Sequence, residues 1–244
     1  MPDGGDDRRQ YGTLYPVARA ILTPIFRAAW RIHTWGTGNL PDRGPAILCP
    51  NHTAAIDSFL LPSVLSRRIT FVGKAEYLDD WKTKHLFPAL GMIPIDRKGG
   101  DSSQRALDAA AGVLERGELF GIYPEGTRSR DGKLHKGHTG PARLALRTGA
   151  PLVPVGIIGT REIQPPGASV PHLFRPCEIR IGRPIDVSQR ARSDERLLLR
   201  QITDELMYEI RELSGQEYVD EYATRSPESI PSQPAAVRVM QATG

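Results

Sequence analysis

Apolar positions in this chain follow two rhythms. Short unbroken runs, such as Ala46-Ile47-Leu48-Cys49 between Gly44-Pro45 and Pro50, read as strands buried on both faces. Runs of this kind predict strands near 45–49, 69–74, 92–96, 118–123, 151–158 and 177–182. Between them, helical spacing predicts helices near 53–65, 101–116 and 138–148, with a short one over 82–90. A longer helix opens at Ser193-Asp194-Glu195, where the carboxylates complement the helix dipole, and runs to about 213. Strands alternating with helices point to an α/β layer structure, a single domain over 37–223. From 224 onward Pro, Ser, Gln and Ala dominate, which predicts a disordered tail, and 1–13 reads as a flexible start.

Residues 14–36 carry the second rhythm. Leu14, Val17, Ala18, Ile21, Leu22, Ile25, Phe26, Ala29 and Trp30 recur at helical spacing, while Arg19, Arg27 and Arg31 fall mainly elsewhere. No acidic residue lies between Leu14 and Trp35. An amphipathic, basic, aromatic-bearing helix of this kind suits the surface of an anionic bilayer, with Pro24 expected to kink it. The same periodicity equally allows a helix packed on the body of the domain.

A chain of 244 residues can bury a sizeable core, and its two cysteines supply no disulfide framework, which fits a reducing compartment. The start, Met1-Pro2-Asp3-Gly4-Gly5-Asp6-Asp7, is acidic and lacks the positive character of a secretory signal. No run approaches the ~18 uninterrupted apolar residues of a spanning helix. The expectation is a soluble or peripheral protein at the cytoplasmic face of a membrane. The pI of 9.2 and net charge of +4 agree with anionic lipid or an acidic acyl carrier as partner. They are too modest to argue for nucleic acid, and no Lys/Arg stripe with interleaved aromatics appears.

Candidate chemistry begins with Asn51-His52-Thr53-Ala54-Ala55-Ile56-Asp57, which supplies a base and a carboxylate to orient it. On one continuous helix the two side chains would lie about 140° apart, so they meet only if His52 precedes the helix and Asp57 sits in its first turns. Asn51 or Thr53 is expected to cap that helix. Further along, Tyr123-Pro124-Glu125-Gly126-Thr127-Arg128-Ser129 combines a glycine, an arginine and hydroxyls in a turn suited to an anion. Gly126 would let backbone approach that anion closely, and a helix opening near His138 would add backbone donors. His135 and His138 are three apart but lack further ligands, so no metal is expected. Cys49, among apolar neighbours, reads as an inert buried thiol.

These blocks resemble those of the glycerophosphate and lysophosphatidate acyltransferase family, the bacterial PlsC type. Asn51-His52 to Asp57 is similar to the first family block and Tyr123 to Ser129 to the third, with Tyr123 where phenylalanine is usual. Gly91-Met92-Ile93-Pro94-Ile95-Asp96-Arg97 resembles the second, with Pro94 where an aromatic is common, and Pro151-Leu152-Val153-Pro154-Val155 the fourth.

The resemblance implies a mixed β-sheet flanked by helices, with the site along one edge. It implies that His52 removes the proton from an acceptor hydroxyl while Asp57 holds the imidazole. The acceptor would be 1-acyl-glycerol 3-phosphate, and the product phosphatidic acid. The acyl donor would be a thioester on coenzyme A or acyl carrier protein, with no further cofactor. Arg128, Arg97 and Lys74 are the candidate phosphate ligands, joined by Glu125, Gly126 and Thr127 in the acceptor site. Arg67 and Arg68, or Lys82 and Lys84, are weaker candidates for the donor's phosphates, and Phe59, Leu60, Leu65, Phe87 and Leu90 for an acyl groove. Glycerol 3-phosphate, another lysophospholipid or a lipid glycoside are alternative acceptors. A lipid-binding protein without catalysis is the alternative of another class, and a hydrolase would lack a serine nucleophile elbow.

Overall fold

A computed structural model of the chain describes residues 15–74, 92–95, 102–190 and 194–224. The flexible start, the short helix expected over 82–90 and the tail beyond 224 lie outside them. Among the described residues, seven strands form one mixed sheet: β1 (Arg31–Trp35), β2 (Ala46–Pro50), β3 (Ile69–Lys74), β4 (Met92–Ile95), β5 (Leu119–Gly121), β7 (Leu152–Ile158) and β8 (Pro176–Ile181). Their spatial order is β1-β8-β7-β2-β5-β3-β4, and every neighbouring pair is parallel except β7 with β8. A second, two-stranded sheet joins β6 (Leu134–His135) to β9 (Tyr218–Val219). The helices are α1 (Tyr15–Ala29), α2 (Asp57–Val64), α3 (Ser102–Glu115), α4 (Gly140–Thr148), the single turn α5 (Thr160–Ile163) and α6 (Glu195–Ser214).

Helices cover both faces of the sheet. Ile47 and Cys49 of β2 pack with Phe120 of β5 against Val113 of α3, Leu144 of α4 and Ile202 and Leu206 of α6. Ala46 and Leu48, one residue out of step, pack with Leu119 against Trp30 and against Leu60 and Leu61 of α2. Successive strand residues face opposite sides, so a strand covered twice needs an unbroken apolar run. Pro94 is tolerated because β4 is an edge strand, where a missing N–H removes no ladder bond on the open side.

The segment 14–36 corrects the sequence reading. α1 stops at Ala29, and Arg31–Trp35 is a strand, paired in parallel with β8 from Arg31 opposite Pro176 to Trp35 opposite Arg180. Exposed Arg31, His33 and Trp35 alternate with half-buried Ile32 and Thr34, the period of a strand with one face in solvent. That alternation is hidden where it follows directly on a helical stripe. α2 also starts later than 53, because 51–56 form a turn that Asp57 anchors.

β2 sits mid-sheet, with β5 on one side and β7 on the other. From β2 the chain moves on toward β3, and from its neighbour β7 it moves the opposite way to β8, so the connections part between β2 and β7. In such sheets the crevice outside the strand carboxyl ends is where ligands bind. The segments leaving β2, β5 and β7 carry His52, the 123–129 turn and Thr160 to that one place.

Candidate active site

His52 Nδ1 lies 2.9 Å from Asp57 Oδ2. The same oxygen accepts the backbone N–H groups of Thr53 and Ala54, both at 2.9 Å. Three donors on one oxygen make Asp57 an acceptor toward the ring, so Nδ1 carries the hydrogen and Nε2 is left with its lone pair. Asp57 is fully buried, whereas the His52 side chain is 13% exposed. Among the described residues Nε2 has no partner. His52 precedes the helix and Asp57 begins it, as the spacing requires.

The imidazole rests on aromatic rings. Tyr123 stacks on His52 with centroids 3.8 Å apart and planes 14° from parallel, and Phe71 stacks behind Tyr123 at 5.7 Å. Gly121 permits this, because a Cβ there would fall 2.2 Å from the Phe71 ring. The Tyr123 hydroxyl bonds Ser58 Oγ at 2.9 Å. Burial, and next the nearby Asp57 charge, hold the phenol well above its ordinary pKa. It therefore stays protonated and shares that bond as a neutral group.

Backbone contacts fix where His52 sits. Its N–H donates to Glu125 Oε1 at 3.1 Å, and its carbonyl accepts from Ser129 N–H at 2.7 Å. Glu125 Oε2 accepts the His135 N–H at 3.0 Å. Glu125 is 1% exposed, and burial pushes its pKa up to about 7. This corrects the expectation that Glu125 meets the acceptor: both oxygens are committed to backbone amides of the protein. Asn51 does not cap α2 either. Its side chain accepts from Ile157 N–H at 2.7 Å and donates to Ile157 O at 2.9 Å, continuing the ladder to β7 past the end of β2. Asn51 Nδ2 also meets Gln216 Oε1 at 2.7 Å, and Gln216 Nε2 donates to Gly132 O at 2.8 Å. Gln216 follows Gly215, the left-handed cap of α6, and sequence patterns offered no sign of it.

The remaining expected residues fall in different surroundings. Gly126 adopts φ +69°, and a Cβ there would lie 3.0 Å from the His138 ring, so a glycine is required by the turn itself. Arg128 is exposed and Thr127 half-buried; among the described residues neither makes a hydrogen bond or ion pair, leaving the Arg128 guanidinium available. Lys74 ends β3 opposite Ile95 of β4, which puts its backbone at the same carboxyl edge of the sheet. Arg97, Lys82, Lys84, Phe87 and Leu90 lie outside the described residues. Arg67 is consumed structurally, donating to the carbonyls of Pro41, Gly44 and Gly117. Leu60 and Leu65 are ordinary core at 0% and 1% exposure.

A strap from the C-terminal side closes over the 123–138 segment. Lys133 pairs Glu217 at 2.7 Å and Lys136 pairs Asp220 at 2.8 Å across the β6–β9 pair. His138 stacks on Tyr222 at 4.5 Å, while His135 Nε2 faces Asp131 at 3.0 Å. Among the described residues no three His, Cys, Asp or Glu side chains gather as a metal site. Cys49 and Cys177 are buried free thiols, both pushed upward in pKa by burial, Cys177 to about 12.

Comparison with known proteins places this geometry in context. The sequence profile of the Acyltransferase family matches residues 31–158, just over half the chain. The chain is 30% identical over 140 residues to the chloroplastic 1-acyl-sn-glycerol-3-phosphate acyltransferase of Arabidopsis thaliana, covering 57% of this chain and 39% of that protein. It is 28% identical over 142 residues to a 1-acyl-sn-glycerol-3-phosphate acyltransferase of Borreliella burgdorferi, covering 58% of this chain and 57% of that protein. The match thus spans well under two thirds of either relative. The crystal structure of the 1-acyl-sn-glycerophosphate acyltransferase PlsC from Thermotoga maritima superposes with a TM-score of 0.60 at 24% identity, covering 83% of this chain and 81% of that one, and shows a common fold.

Proposed function

Because the chain belongs to the acyltransferase family by the match over residues 31–158, we propose that it transfers a fatty acyl group from an acyl thioester to a hydroxyl of 1-acyl-glycerol 3-phosphate, forming phosphatidic acid. The observation that carries this reading is the His52–Asp57 pair at 2.9 Å, with Nε2 unpartnered among the described residues and the exposed Arg128 turn bonded to the His52 backbone. The names of the two relatives support the choice of acceptor.

His52 Nε2 takes the proton of the acceptor hydroxyl as its oxygen attacks the thioester carbonyl carbon. The imidazolium so formed is stabilised by the Asp57 carboxylate, which also keeps Nδ1 protonated. The tetrahedral oxyanion collapses, the C–S bond breaks, and the departing sulfur takes the proton from Nε2. Ester and free thiol are the products, with no acyl-enzyme. Cys49 is buried, and its raised pKa makes it a poor nucleophile. Arg128 grips the acceptor phosphate as a bidentate fork, with Lys74 and Arg97 as further cations and Gly126 and Thr127 offering backbone and hydroxyl donors. The donor is an acyl chain on coenzyme A or acyl carrier protein. The enzyme works at the cytoplasmic face of a membrane, held peripherally through α1. Among the described residues no helix is long and apolar enough to cross a membrane.

Thiol release from palmitoyl-coenzyme A, with lysophosphatidate, glycerol 3-phosphate and lysophosphatidylcholine offered in parallel, tests the proposal. Release with lysophosphatidate alone is expected. Release with lysophosphatidylcholine but not lysophosphatidate would refute the acceptor assignment, and silence with every acceptor and both donor types would refute catalysis.

A further inference from the structure

Residues 164–175 join two parts of the molecule that the reaction scheme treats separately. At one end, Gln164 Oε1 accepts the Ile56 N–H at 3.0 Å, inside the turn between His52 and Asp57. At the other, Phe174 N–H donates to Ala29 O at 2.7 Å, Trp30 Nε1 donates to His172 O at 2.8 Å, and Arg31 N–H donates to Arg175 O at 3.3 Å. The loop is tied to the end of α1 and to the turn that carries the base.

Its outer surface is apolar. Val170 is 75% exposed, Leu173 56% and Phe174 68%, and along α1 Ile21 and Ile25 are 56% and 52% exposed. Ile21, Ile25 and Ala29 follow one another at four-residue steps, and Ala29 is where Phe174 attaches. α1 already turns Phe26 inward to the core, with Trp30 just past its end, so it is apolar on two sides. Scattered exposed apolar residues are ordinary, but adjoining ones on two tied segments indicate an occupant.

Charge selects that occupant. Between 14 and 40 the only formal charges are Arg19, Arg27 and Arg31, and between 164 and 177 the only one is Arg175. The nearest carboxylates along the chain are Asp7 and Asp42 for the first segment and Glu162 and Glu178 for the second, and Glu178 is bonded to Arg180. Phe174 adds a third observation. It is the one non-glycine residue with positive φ among the described residues, at +61°, a conformation that is costly for a bulky side chain. Its ring is nonetheless held out in solvent.

We propose that 170–175 is a second bilayer contact beside α1, in which Val170, Leu173 and Phe174 enter the interfacial layer of an anionic membrane while Arg31 and Arg175 meet lipid phosphates. The proposal deepens the acyltransferase reading and rests on it for the choice of lipid over a second protein chain. It brings the His52 turn, through Gln164, to the surface where a lysolipid resides.

The test is sedimentation with phosphatidylcholine vesicles, with and without phosphatidylglycerol, using the full chain, Phe174→Asn and Leu173→Ser/Phe174→Asn. Asparagine accepts positive φ readily, so Phe174→Asn is expected to melt no lower than the parent. Partition of the double variant to phosphatidylglycerol vesicles is expected to fall by at least about tenfold, the scale of removing a buried apolar side chain. Turnover of a dispersed short-chain lysophosphatidate is expected to persist in both variants. Unchanged partition in the double variant, or no partition of the parent chain, would overturn the proposal. So would self-association of the parent abolished by the same substitutions, which would assign the face to a second copy. If the parent binds vesicles through this loop yet transfers no acyl group, the docking surface stands and the acyltransferase reading fails.

Discussion

Glu125→Gln separates the scaffold of the site from its chemistry. The carboxylate is 1% exposed, and its two oxygens accept the His52 and His135 N–H groups at 3.1 and 3.0 Å. Burial raises its pKa from 4.5 to about 7, against the opposing pull of those two bonds. An acid whose pKa rises on folding binds its proton more tightly in the folded state. Its contribution to stability is therefore complete below pH 4.5 and is lost as pH climbs to about 7. That rise corresponds to about 3 kcal/mol, at about 1.4 kcal/mol per tenfold. Glutamine does not titrate, and its amide nitrogen must face one of the two N–H donors, leaving that donor unpaired at a cost of about 1–3 kcal/mol. Urea unfolding of both proteins from about pH 5 to about pH 8 reads the difference directly. The parent is expected to be the more stable near pH 5, with its advantage shrinking toward pH 8 by up to about 3 kcal/mol. Parallel stability curves, or an advantage that grows with pH, would refute the reasoning.

Two further substitutions probe what surrounds the base. Arg128→Ala is expected to raise KM at least about tenfold for phosphate-bearing acceptors, the scale of one lost charge-assisted bond. An equal rise with a neutral acceptor, measured in the same thiol-release assay, would remove Arg128 from phosphate recognition. Tyr123→Phe keeps the ring under His52 and loses only the bond to Ser58 Oγ, so turnover should stay within about threefold, whereas Tyr123→Leu removes the stack and should cost about tenfold or more in kcat. Similar kcat values for the two variants would show that the stacked ring does not position the imidazole.

Much of this arrangement was legible in the chain because it depends on local rules. Ala46 to Cys49 announces a twice-covered strand by its unbroken apolar run, and the His52–Asp57 spacing demands a strand-to-helix junction. What escaped depends on partners distant in sequence. β1 exists because Arg31–Trp35 finds Pro176–Ile181, and nothing near residue 31 signals that pairing. Glu125 reads in the sequence as a member of the acceptor site, yet the backbone amides of His52 and His135, 73 and 10 residues away, both bond its carboxylate. Asn51 has the composition of a helix cap, but the helix starts six residues later and its amide finds the Ile157 backbone instead. Gln216 and the β6–β9 strap are invisible for the same reason, since their partners lie about 80 residues or more away.

The central claim is that His52, oriented by Asp57, activates the acceptor hydroxyl. Single-turnover ester formation from acyl thioester and lysophosphatidate, with the parent chain and His52→Ala compared at matched near-ultraviolet circular dichroism, addresses it most directly. A fall of at least about 100-fold in the variant is the predicted result, the scale of losing a general base. Transfer at near-parent rate in a folded His52→Ala protein would contradict it.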